Sequence, residues 1–301
     1  MSKQTSKQKP KRKQTPKTST VRILLPKIDV IFKLLFGDER NTEILIDFLK
    51  AILNLAEDEY ESISLDDTHL KREGANDKLG IVDVRLKTKS GKIIHIEMQI
   101  LEQEDFPERI TYYNAKMLVT QLKSGDDYKF QKTISIVIAD FDIVENSKKY
   151  HHKFQLNDIE AGVNFTDIIE INTLELGKVP TKTDNTKKHD WLQFLKAERE
   201  EEFDMLAEKS PVIKKAVVEL KRLSQSEEAQ LLYDAREKAL RDENARIRTA
   251  LKKGHAQGHA QGHAKALIEV VSNAIKIGLD NVQISKLTGV SMSDIEGIRT
   301  Q

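Results

Sequence analysis

Residues 80–100 read "GIVDVRLKTKSGKIIHIEMQI", and the alternation on both sides of Lys89-Ser90-Gly91 decides the kind of fold around them. On the first arm Val82, Val84 and Leu86 make an apolar row, and Asp83, Arg85 and Lys87 a polar one. On the second arm Ile94, Ile96, Met98 and Ile100 alternate with His95, Glu97 and Gln99. Period-two patterning marks strands, and a three-residue connection with glycine in the left-handed position is a favoured hairpin loop. Such a loop pairs Thr88 with Lys92. Counting back along both arms sets Asp83 opposite Glu97. This register also keeps the two apolar rows together, because a one-residue slip would turn one of them over.

Residues opposed on one face have Cβ atoms roughly 4.5–5.5 Å apart, and like charges so placed destabilise a sheet. Something must offset the repulsion between Asp83 and Glu97. A divalent cation is the simplest candidate, since carboxylate oxygens and water are the ligands of Mg²⁺, with Mn²⁺ and Ca²⁺ taking similar donors. An ion there would lower the pKa of a bound water and stabilise charge on a phosphate in transit. The competing account is a solvated polar sheet face on which Arg85, Lys87 and His95 neutralise the acids. Spacing alone leaves both open.

The flanking sequence builds outward from the hairpin. "DVIFKLLFGD" is an apolar helical segment closed by Gly37, with Asp38, Asn41 or Thr42 placed to cap the next helix. In "TEILIDFLKAILNL" Ile44, Leu45, Phe48, Leu49 and Ile52 recur at helical spacing. "ESISLDD" is a short strand, and "PERITYYNAKMLVTQLKSG" a second amphipathic helix with Pro107 at its start and Gly125 after its end. "TISIVIADF" is a β-branched run suited to a strand buried on both faces. The expected fold class is α/β, a mixed sheet flanked by helices, followed by a mostly helical C-terminal region. Residues 142–185 carry a weaker mixed pattern.

Composition restricts the possibilities further. The 301 residues include no cysteine, which excludes disulfides and thiolate metal sites. No run approaches the ~20 apolar residues of a membrane span, and no apolar signal core opens the chain, so a cytoplasmic location without membrane partners is the expectation. The net charge of +1 hides an asymmetry: the first twenty residues hold seven basic side chains, among them Lys11, Arg12 and Lys13, and no acid. Such an arm can neutralise phosphates of DNA or serve as a solubilising tail.

Taken together, "PKIDVIFKLLFGDERNTEILIDFLKAIL", "IVDVRLKTKSGKIIHIEMQ", "ERITYYNAKMLVTQLKSGDDY" and "TISIVIADF" resemble the Rpn family of recombination-promoting nucleases, a transposase branch of the PD-(D/E)XK nuclease superfamily. The resemblance covers residues 24 to 142 closely and implies a restriction-endonuclease-like core of helix, three strands, helix and strand. It also implies metal-dependent hydrolysis of DNA, with Asp83 as the metal-binding aspartate and Glu97 as the acid of the second motif. Gln99 stands where the superfamily usually has lysine. Glutamine can orient a water or a phosphate oxygen but cannot supply a positive charge, which Lys33, Lys92 or Arg109 could bring instead. Asp29 and Glu43 are alternative further acids, with helix capping and an exposed first-turn position as their ordinary roles. Arg109, Tyr112 and Tyr113 fall on the family pattern. Arg109 suits bidentate contact with phosphate, whereas the tyrosines fit a half-buried helix face or a base-stacking platform. The alternative to an endonuclease is a catalytically silent DNA-binding or assembly protein that retains the fold.

From Lys187 onward the chain is charged and helix-forming, with Trp191, Leu192, Phe194 and Leu195 as its thickest apolar cluster. Ser210-Pro211 starts one helix, and Ser224 or Ser226 another. Residues 253–265, "KGHAQGHAQGHAK", continue that helix, because a four-residue unit advances each histidine only 40° round a helix of 100° per residue. His255, His259 and His263 could chelate a metal incidentally. However, no carboxylate or cysteine is interleaved, and each glycine costs about 1 kcal/mol against alanine. A connector or self-association helix is the reading adopted. The expected parts are an arm (1–20), a nuclease-like domain (21–185), a helical region (186–253), the repeat (254–265) and a small helical segment (266–301), with a homo-oligomer, a dimer, formed through the helical region. The last segment is laid out like a helix-turn-helix, but Asp294 and Glu296 suit a phosphate-lined groove poorly.

Overall fold

The computed structural model describes residues 22–70 and 80–300. Lys11, Arg12 and Lys13 therefore lie outside the described residues. The described residues form two compact units, one ending at Glu237 and the other beginning at Lys238.

The first unit opens with α1 (Asp29–Phe36) and α2 (Thr42–Ile52), followed by the short strands β1 (Ser64–Leu65), β2 (His69–Leu70) and β3 (Gly80–Ile81). The hairpin is β4 (Val84–Lys87) and β5 (Ile93–Gln99), and α3 (Phe106–Val119) leads to β6 (Thr133–Ala139). β7 (His151–Asn157) and β8 (Asn164–Glu175) complete a six-stranded sheet of order β1-β4-β5-β6-β8-β7, in which β5, β6 and β8 run parallel. Then come α4 (Lys187–Lys196), α5 (Glu200–Lys209), α6 (Pro211–Ser224) and α7 (Glu227–Lys276).

The hairpin register is the one its loop dictates. Val84 faces Ile96 and Lys87 faces Ile93, Thr88 N–H donates to Lys92 O at 3.0 Å, and Gly91 takes φ +88°. The ladder ends at Val84, and Val82 leaves the apolar row expected of it. It packs with Ile93, Phe106, Ile110, Tyr113, Met117 and Val137 under α3, because the chain bends at Asp83. The polar face is not solvated either. α3 covers it, leaving His95 fully buried and Asp83 and Glu97 under a tenth exposed.

On the opposite face the aromatic side chains of α1, α2 and α4 lock together. Trp191 meets the edges of Phe36, Phe48 and Phe194 at 5.6–5.9 Å, and its indole N–H donates to Asp47 at 2.9 Å. Each such fully buried side chain contributes roughly 1.5–3 kcal/mol of transfer free energy.

Gly37 closes α1 as expected, at φ −95° and with its N–H donating to Lys33 O. One local boundary is corrected. The helix α3 stops at Val119 rather than running to Gly125, because Gln121 turns to clamp the backbone N–H and C=O of Gln131. The weak stretch 142–185 contains two strands, and β8 is twelve residues long. Ser210 does cap α6 by accepting from Ile213 N–H, and Ser226 rather than Ser224 precedes α7.

In the second unit the end of α7 packs with α8 (Asn281–Thr288) and α9 (Met292–Arg299) around Val271, Ala274, Ile284 and Ile295. Gly278 and Gly289, at φ +88° and +72°, make the two turns. The repeat lies within α7, with its histidines exposed.

Candidate active site

At the C-terminal end of β5 the sheet opens between α1 on one face and α3 on the other, and Asp83 sits at that mouth. Its Oδ2 accepts the Met98 N–H at 2.6 Å, and its Oδ1 lies 3.1 Å from Lys33 Nζ on α1. Burial raises the Asp83 pKa despite both contacts. Glu97 lies on the α3 face, where burial, reinforced by the Asp83 charge, pushes it up to about 8. Arg109 stands 3.6 Å from Glu97 Oε1 and donates to Gln99 Oε1 at 3.0 Å. Glu97 Oε2 is buried without a hydrogen-bond partner.

Two desolvated carboxylates with one orphaned oxygen make a hard-oxygen donor set, and such a set fits a divalent cation. Among the described residues no third histidine, cysteine, aspartate or glutamate joins them. Mg²⁺ usually takes only one or two protein carboxylates and completes its shell with water, so two are sufficient. The orphaned oxygen is the more telling point, because a buried polar atom without a partner is costly.

The remaining expected residues divide clearly. Lys33 and Arg109 bring their charges to the carboxylates, whereas Lys92 is held by Glu59 beside the loop, at the other end of the hairpin. Gln99 turns its amide N–H to Leu101 O at 2.8 Å, leaving its oxygen to Arg109. Asp29 is near enough to raise both acids but is paired with Arg236 at 2.7 Å. Glu43 is exposed and paired with Lys215. Tyr112 is half-exposed on α3 with Lys116 over its ring, and Tyr113 is buried against the edge of His95.

The cations proposed to neutralise a solvated face do not do so. Arg85 and Lys87 reach to Asp66, and burial drives His95 down to about 3, so it carries no charge at neutral pH. Sequence reading missed Arg236. It is 207 residues from Asp29, and no local pattern links them.

The chain matches the family model of the PD-(D/E)XK nuclease family transposases over residues 26–250, most of its length, and belongs to that family. Its six-stranded mixed sheet flanked by helices is the PD-(D/E)XK nuclease fold. A nuclease or transposase-like role follows. The superfamily generally uses divalent metal ions, and DNA is the substrate that membership implies. No curated protein and no solved structure matches the chain. No described helix is long and apolar enough to cross a membrane.

Proposed function

We propose that the protein is a metal-dependent DNA endonuclease acting in recombination or on mobile elements, with Asp83 and Glu97 as the ligands of Mg²⁺ or a similar cation. The observation that carries this reading is the orphaned, buried Glu97 oxygen beside the Asp83 carboxylate. The ion, when bound, supplies an acidified water and charge stabilisation at phosphorus. The chain's own groups do the rest. Glu97 holds a proton to about pH 8 when its charge is uncompensated. Gln99 orients the water or a phosphate oxygen. Arg109 and Lys33 place fixed positive charge where the superfamily's lysine would be and contact the phosphate. Tyr112, one turn along α3 from Arg109, and the arm of Lys11, Arg12 and Lys13 add DNA contacts.

Purified chain and supercoiled plasmid, with Mg²⁺ or Mn²⁺ and with EDTA, give the direct test. Metal-dependent nicking is expected, and it should vanish in Asp83→Ala and Glu97→Ala. Nicking that survives either substitution sinks the assignment.

A second reading, a catalytically silent DNA-binding or assembly protein, draws on Gln99 and on the Lys33–Asp83 ion pair. It predicts no thermal stabilisation by Mg²⁺. Self-association through the helical region rests on α7, where Ile247 and Leu251 are exposed on the face that continues to Gly254 and Gly258.

A further inference from the structure

The first turns of α7 bury a stripe of residues at helical spacing. Ala229 and Tyr233 are buried, and the next position of the stripe is Arg236. An arginine where the pattern calls for an apolar side chain needs an acid to meet it. It meets Asp29, the first residue of α1: Arg236 Nε donates to Asp29 Oδ1 at 2.8 Å, and Nη2 lies 2.7 Å from Oδ2. Both carboxylate oxygens are taken, in the forked geometry by which a guanidinium holds an acid best.

The same acid stands beside the candidate cation site. One turn of α1 separates Asp29 from Lys33, and side chains so related are neighbours, with Cβ atoms roughly 5–6 Å apart. Lys33 Nζ in turn lies 3.1 Å from Asp83 Oδ1. The Asp29 charge reaches both candidate ligands, adding to the burial that raises Asp83 and Glu97. The Asp29 side chain is 20 % exposed and that of Arg236 40 %, so the guanidinium can turn into water more readily than the carboxylate can. Its withdrawal would leave a third uncompensated acid next to two others, and a divalent cation offsets such a cluster.

We propose that Arg236 is a positioning residue for the cation site: seated on Asp29 it limits the site to Asp83 and Glu97, and withdrawn it lets Asp29 turn to the cation as a third oxygen ligand. This rests on the metal-dependent reading above and adds a control to it, because the seating of the first turns of α7 then sets the cation affinity of the resting chain. The number of charged ligands tunes the affinity of carboxylate sites over orders of magnitude. An arginine that occupies one acid of three therefore keeps the chain weakly loading. A part-exposed ion pair is weakly held, and a doubly charged cation can compete with it. A plain anchor between α7 and α1 makes a different forecast: losing the arginine would loosen the fold and leave cation affinity unchanged.

The test is Mn²⁺ binding to the full chain by titration calorimetry, without DNA and at one fixed pH. Arg236→Gln is expected to bind on the order of ten-fold more tightly than wild type, the direction that an added charged ligand gives. Arg236→Lys keeps the charge and is expected to bind as wild type does. The gain must vanish when Arg236→Gln is combined with Asp29→Asn, since such a cycle isolates the coupling between the two residues. Circular dichroism checks that each chain is folded. If Arg236→Gln is not, Arg236→Met, which suits a half-buried helix position, is measured in its place with the same expectation. Unchanged affinity in the folded arginine variant overturns the proposal. So does an equal gain in the presence of Asp29→Asn, which would be the field of the guanidinium acting without Asp29. Glu97→Gln separates this inference from the reading beneath it. If wild type binds Mn²⁺ and Glu97→Gln does not, the cation site stands whatever Arg236 does. If affinity is indifferent to Glu97→Gln, or no chain binds, both fall.

Discussion

Replacing Glu97 with glutamine tests the candidate site through stability alone. In the folded chain Glu97 keeps its proton to about pH 8, against an ordinary value of 4.5. Between those limits the native state binds a proton that the unfolded chain has lost. Stability must therefore fall as pH rises, by ~1.4 kcal/mol per pH unit and by about 4–5 kcal/mol over the whole window, and level off above it. Glu97→Gln has no proton to lose, so its stability should exceed that of wild type increasingly from pH 5 to pH 8. Urea unfolding of both proteins at half-unit pH steps, without divalent ions, measures the difference curve and cancels groups common to both. Adding Mg²⁺ at pH 8 should stabilise wild type, because the ion favours the ionised carboxylate, and leave Glu97→Gln unchanged. A difference curve flat within about 0.5 kcal/mol, well inside the sensitivity implied by such slopes, would refute the burial argument.

Three further outcomes follow from individual contacts. Trp191→Ala removes a fully buried indole and orphans an Asp47 oxygen, so urea unfolding should show a loss of about 3–5 kcal/mol. Gly91→Ala forces a Cβ onto φ +88° with the Gln131 side chain 3.4 Å away. A loss of more than about 1 kcal/mol is expected in the same assay. Glu43→Gln breaks only an exposed pair with Lys215, so plasmid nicking should match wild type and stability should change by no more than about 0.5 kcal/mol.

Local chemistry made the hairpin legible: Gly91 sets the loop and the loop sets the register from Lys87↔Ile93 to Val84↔Ile96, whereas the expected rung between Asp83 and Glu97 does not form because the chain bends at Asp83. Ser210 as the cap of α6 was legible in the same way. What escaped is tertiary. Nothing in "HHKFQLN" shows an apolar row, because β7 is an edge strand with no covered face to pattern it. His95 looks like a surface residue until α3 is laid over it. Val82 departs from its row because of a bend that alternation cannot anticipate, and Asp29 is taken up by Arg236 across most of the chain. The candidate acids were readable as a pair, whereas their desolvation, which gives them unusual protonation, was not.

The bond from Met98 N–H to Asp83 Oδ2 has a practical corollary. Just before β4 begins, this side chain stands in for the missing rung of the ladder, so one carboxylate serves both as a candidate ligand and as a splice in the sheet. Truncating it to alanine frays the splice as well as emptying the site, and a dead Asp83→Ala enzyme would be ambiguous by itself. Asparagine retains an oxygen for Met98 while surrendering the negative charge. Comparing Asp83→Asn with Asp83→Ala therefore separates the residue's architectural duty from its chemical one.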